Sequence, residues 1–145
     1  MTDAISRYLT DDHHRCDHLL VACEAAVNAG AWSTLDDTVA VFRESVLRHF
    51  ALEEEILFPE LEQANPAAGG PIGVMRMEHQ QMRQLLTDLA DATRSRDRDT
   101  CLGDLETLLM LVQQHNAKEE GILYPLADGA FPLGADEFVA RMKAA

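Results

Sequence analysis

Four stretches of this chain set apolar residues at alternating steps of four and three, and each breaks that stripe with an imidazole, alone or followed by a carboxylate. Steps of four and three trace one face of an α-helix. The first stripe, within residues 4–28, is Leu9, His13, Cys16, Leu20, Cys23, Val27, and the second is Leu35, Val39, Phe42, Val46, His49, Glu53, Ile56. The third runs Met75, His79, Met82, Leu86, Leu89, and the fourth Cys101, Leu105, Leu108, Val112, His115, Glu119, Ile122. Punctuation between them fits helix ends. Asn28-Ala29-Gly30 closes the first, and Ser33 with Asp36 resembles a capping box opening the second. Pro59 and Pro125 close or kink the second and fourth, because proline lacks the amide donor. Residues 62–71 hold two prolines and two glycines and mark the midpoint. Thr100 is placed to cap the fourth helix. A short last helix from Ala135 to Lys143 would lie on the others through Phe138 and Met142. The expectation is an all-α chain, an up-down-up-down four-helix bundle with a short C-terminal helix, in one domain over residues 1–145.

The chain also repeats itself. HFALEEEILFP from His49 to Pro59 returns as HNAKEEGILYP from His115 to Pro125, displaced by 66 residues. The same displacement sets Asp12-His13 on Glu78-His79 and Leu19-Leu20 on Leu85-Leu86. Two pseudo-repeats, about 4–61 and 72–127, thus each supply a lone histidine and then a His-x3-Glu. A His and a Glu four residues apart share one helix face.

Depth along the bundle turns six residues into one site. His13 and the His49–Glu53 pair fall roughly 22 and 26 Å from the turn that joins their helices, at 1.5 Å per residue. The second repeat gives nearly the same depths. His13, His49, Glu53, His79, His115 and Glu119 are therefore expected in one buried layer. A single such histidine is ordinarily a hydrogen-bonded core residue, and a single His-x3-Glu a surface pair. Together they place two carboxylates in a dry interior, which costs several kcal/mol each unless a cation is present. Four imidazoles and two carboxylates exceed what tetrahedral zinc requires, and calcium or magnesium would not select histidine. Shared between two ions, with both glutamates and a solvent-derived oxo or hydroxo group as bridges, the set suits two non-haem iron ions with positions left open.

Composition excludes several other classes. Twenty-five acids against 12 bases leave a net charge of −13, unsuited to nucleic acid or an anionic membrane. The chain begins with a polar stretch rather than a basic and apolar leader, and no apolar run reaches membrane-spanning length, so a cytoplasmic location is expected. Cys16, Cys23 and Cys101 have no paired spacing and suggest neither a disulfide framework nor a thiolate metal site. His14 and His18 lie off the seam and read as surface residues. Asp17 and Arg83 occupy equivalent positions and are expected to pair. Glu54 and Glu120 follow the ligand glutamates and could touch a ligand histidine. Tyr8 and Tyr124 lie near the layer, where a phenol could donate to a bound oxygen species.

The pattern H…HxxxE…H…HxxxE, with its LFP and LYP helix ends and its Asp-His and Glu-His openings, resembles the hemerythrin-like (HHE cation-binding) family over residues from about 9 to 125. The resemblance implies a four-helix bundle with a non-haem di-iron site and makes the same six residues its ligands. Oxygen-carrying hemerythrins differ in having a His-x3-His on the third helix, where this chain has Arg83 four residues after His79, and Asp as the last ligand. Arg83 stays cationic and cannot be a ligand. The resemblance therefore points to the branch concerned with iron or oxidant sensing, peroxide or nitric oxide chemistry, and iron repair. Two functions follow as expectations: a protein that binds or senses O2, related oxidants or iron status, and an enzyme that decomposes peroxide or nitric oxide. A zinc-loaded interaction module is the third.

Overall fold

The computed structural model describes residues 3–131 and 134–145. Among them every regular element is helical: α1 (Ala4–Asn28), α2 (Trp32–Ala51), α3 (Phe58–Ala64), α4 (Gly69–Arg94), α5 (Arg98–Lys118), α6 (Tyr124–Ala130) and α7 (Ala135–Ala144). A π-helical turn, Leu52–Leu57, joins α2 to α3, and a second, Glu119–Leu123, joins α5 to α6. A 3-10 turn, Pro66–Ala68, leads into α4. The packing is cyclic: α1 lies against α2, α2 against α4, α4 against α5, and α5 against α1. The last helix, α7, lies on α1 and buries Phe138 and Met142, as the sequence suggests.

The links follow from local chemistry, though not always the chemistry expected. Gly30, at φ +66, takes the left-handed conformation that ends α1, and the amides of Gly30 and Ala31 return to the carbonyls of Val27 and Ala26. Ser33 caps nothing: α2 starts at Trp32, behind Ala31. Thr100 does not cap α5 either. Asp97 does, accepting from the Thr100 amide at 3.1 Å and from its hydroxyl at 2.7 Å.

Pro59 and Pro125 do not end their helices. In each repeat the chain widens by a π-turn that finishes two residues before the proline, then continues as α-helix with proline in its first turn. There the missing amide goes unneeded. The wide turn inserts one residue and so rotates everything beyond it. Leu57 and Leu123 therefore enter the core; of the two seam isoleucines, Ile56 stays half-buried against the apolar cluster and Ile122 turns outward. Ile122 is 53% exposed and Leu123 only 1%.

The apolar interior falls into two clusters. One contains Leu20, Val39, Phe42, Leu86 and Leu105, and the other Leu9, Leu57, Met75, Leu123 and Phe138. On all four rods the boundary between them is the polar interruption of the stripe. His13 separates Leu9 from Cys16, for example, and His79 separates Met75 from Met82.

Candidate metal centre

The structure brings His13, His49, Glu53, His79, His115 and Glu119 together in that boundary layer, all buried. Their inward atoms form two overlapping groups. His13, His49, Glu53 and Glu119 have donor atoms within 4.8 Å of one another, and so do Glu53, His79, His115 and Glu119. Both glutamates, 0% exposed, belong to both groups. The π-turns contribute here, because Glu53 and Glu119 stand within them and their carbonyls accept from the amides five residues on. Such widened turns inside helices recur at functional sites.

Each histidine is aimed by a carboxylate behind it. His13 Nδ1 donates to Glu120 at 2.7 Å, His49 Nδ1 to Asp12 at 2.7 Å, His79 Nδ1 to Glu54 at 2.5 Å and His115 Nδ1 to Glu78 at 2.9 Å. With Nδ1 held as the donor, Nε2 is the atom presented inward. The four pairs obey the repeat: the acid before one histidine supports the histidine of the next rod, and the acid after each glutamate supports the lone histidine. Three acids are themselves braced by cations, Arg15 on Asp12 at 2.7 Å, Arg83 on Glu54 at 3.0 Å and Lys118 on Glu78 at 2.5 Å.

Sequence reasoning anticipated a supporting part for Glu54 and Glu120 and missed Asp12 and Glu78. The available signal was the repeat itself, which sets an acid before the lone histidine in both halves. Arg83 does not pair with Asp17. It holds Glu54 instead and lies over the Phe50 ring at 5.3 Å, while Phe50 stacks on His79 at 3.9 Å between centroids. The place of a further histidine on the third rod is thus taken by a cation that steadies His79 from outside. His14 and His18 are exposed. Tyr8 is not at the centre; its ring sits beneath Lys143. Tyr124 is at the centre, fully buried, its hydroxyl donating to Glu53 Oε2 at 2.6 Å.

Electrostatics fit a cation-binding layer. Burial pushes the Glu53 carboxyl up, but the charge and hydrogen bond of His49 and the hydrogen bond of His79 outweigh it and hold it well below the usual carboxylate range. Burial disfavours charged His49, yet Glu53 and Asp12 raise it well above its ordinary value; burial disfavours charged His115 too, and Glu119 raises it. Without a metal the Glu53 carboxylate is thus balanced by imidazole protons, which a cation can replace. Glu53 Oε1 and Glu119 Oε2, both buried, have no well-aligned hydrogen-bond donor; their polar neighbours include the imidazole Nε2 atoms of His79 and His115, at 3.2 and 3.1 Å. Orphaned carboxylate oxygens beside inward imidazole nitrogens are a donor set that a metal ion would satisfy. A cavity of about 30 Å³ adjoins the layer, lined by His13, His49 and His115 on one side and by Leu20, Phe42 and Val112 among others on the rest. Cys16 also faces it, its thiol pushed up to about 11 by burial and so unreactive at neutral pH.

An all-helical fold with buried histidines and glutamates able to hold metal defines a helical cation-binding protein. Residues 4–127 match the family described as "Hemerythrin HHE cation binding domain", and the chain belongs to that family. Uncharacterized proteins of Mycobacterium tuberculosis (strains H37Rv and CDC 1551 / Oshkosh) and Mycobacterium bovis are each 31% identical over 83 residues. Those matches cover 53% of this chain and 32% of each relative, so the chain spans about a third of the curated relatives it matches. No solved structure matches significantly. No helix among the described residues is long and apolar enough to cross a membrane.

Proposed function

We propose that this chain is an up-down-up-down four-helix bundle carrying two non-haem iron ions, and that it binds or senses O2, related small oxidants or iron status. His13 and His49 would hold one ion and His79 and His115 the other, with Glu53 and Glu119 available to both. The observation that carries this reading is the sharing of both glutamates by two otherwise separate histidine pairs. A single-ion site has no use for two such pairs, and zinc's four-coordinate preference leaves part of the set idle. The ions supply redox chemistry and open coordination positions; the protein aims the imidazoles, excludes bulk water and limits entry by size. A cavity of about 30 Å³ beside the imidazoles has room for about one water-sized molecule, which suits O2, nitric oxide or hydrogen peroxide and no larger substrate.

A second reading, a di-iron enzyme that decomposes peroxide or nitric oxide, or an iron storage or repair protein, is favoured by one feature. Arg83 stands where a further histidine would reduce the open positions. A cytoplasmic setting accords with the three free, buried cysteines. Iron per chain, together with the optical spectrum under argon, in air, and with nitric oxide or peroxide, separates the readings. A reversible change on cycling oxygen supports binding or sensing. Sustained turnover that is lost in Glu53→Ala supports the enzyme. Zinc at one per chain, with iron absent from protein made in iron-replete cells, overturns both.

A further inference from the structure

The two halves of the site supply the same donor side chains but differ in the aromatic ring beside the lone histidine. The 66-residue displacement sets Tyr124 on Phe58. Both rings stack near the lone histidine of a repeat, Tyr124 by His13 at 5.6 Å and Phe58 by His79 at 6.1 Å between centroids. Only Tyr124 carries oxygen into the layer, and its place there is specific. Oη lies 2.6 Å from Glu53 Oε2, 3.0 Å from Glu119 Oε1, 3.0 Å from His13 Nε2 and 3.4 Å from His49 Nε2. Those four atoms belong to the four residues of one donor group.

Two arguments say what an oxygen is doing there. In an octahedral site with bonds of about 2.1 Å, neighbouring ligand atoms are about 3 Å apart. Oη stands near that spacing from each of the four donor atoms, as a fifth donor to the same ion would. A proton count points the same way. A hydroxyl has one proton, and here two carboxylate oxygens, Glu53 Oε2 at 2.6 Å and Glu119 Oε1 at 3.0 Å, compete for it. A cation shared with those oxygens removes that mismatch. The other group, with Nε2 of His79 and His115 3.2 Å apart and Glu53 Oε1 and Glu119 Oε2 3.2 and 3.1 Å from them, meets only ring carbon from Phe58.

We propose that Tyr124 is the fifth protein ligand of the metal held by His13 and His49, which makes the pair of ions unequal. The proposal rests on the two-iron reading. On loading, the phenol O–H bond breaks, the proton passes to solvent, and an Oη–metal bond forms; no electrons are transferred. The His79/His115 ion, lacking this ligand, keeps more of its coordination positions for an exogenous molecule.

The test is to load the full chain with iron, oxidise it in air, count iron per chain, and record visible absorption and resonance Raman spectra. A ferric ion bound to phenolate has a visible charge-transfer band in which phenolate ring modes are enhanced. The expectation is such a band in the unaltered protein and its complete loss, per bound iron, in Tyr124→Phe. Phe58→Tyr, which places a second phenol in the equivalent position, should strengthen the band. Two bound irons with no phenolate modes would overturn the proposal and leave the two-iron reading standing. Failure to bind iron would overturn both.

Discussion

Asp12 accepts a 2.7 Å hydrogen bond from His49 on the neighbouring helix, while His13, its neighbour in sequence, donates instead to Glu120. Glu78 repeats the arrangement with His115. Supporting acids are thus traded between rods, so packing the helices and aiming the imidazoles are one event. The layer cannot be assembled from one helix at a time.

That crossing makes Asp12→Asn and Glu78→Gln informative. Each keeps the shape of the acid and removes the charge that draws Nδ1–H and strengthens the imidazole as a donor. Metal affinity should fall about 10–100-fold in either, measured by competition with a chromophoric chelator. Unchanged affinity with a lowered melting temperature would assign the acids to packing alone.

The metal-free protein should carry a pH signature of its own. Burial pushes Asp12 up, but hydrogen bonds from His49 and Arg15 bring it from 3.8 to about 2, so its contribution is complete above 3.8 and lost as pH falls through 2. His49 and His115 are raised above 6.5, so theirs is complete below 6.5 and lost as pH climbs through the raised values. Thermal unfolding in chelator should accordingly give its highest midpoint between about pH 4 and 6.5. Metal affinity should run the other way and rise with pH, since the same imidazole protons must leave before ligation. A melting temperature of the metal-free protein that rises above neutrality would contradict the assignment of those protons.

The π-turn can be tested by substitution beyond it. If the wide turn rotates the chain as described, Leu123→Ala should cost about 2–5 kcal/mol and Ile122→Ala within about 0.5 kcal/mol, read from denaturant unfolding. An uninterrupted α-helix would reverse the two.

Legibility in the sequence had a physical boundary. Apolar stripes and polar interruptions report which face of a helix is buried, and His13 and His79 could therefore be placed on sight. Period alone says nothing of an inserted residue. Carried straight through a turn that widens, the stripe puts Ile122 in the core, where the structure has Leu123. Proline, which closes or kinks a continuing helix, needs no amide partner in the first turn of a new segment. Asp12 and Glu78 stand out in the sequence only as markers of the repeat, because a sequence shows neighbours along one rod and their partners lie on another. Tyr124 could be placed near the layer but not within reach of four donor atoms, which takes coordinates.

The most direct measurement is metal per chain in three proteins reconstituted with iron: the unaltered chain, His13→Ala and Glu119→Ala. Because Glu119 belongs to both donor groups and His13 to one, the account expects two ions, about one, and close to none. One ion per chain in the unaltered protein, or two retained in Glu119→Ala, would contradict it.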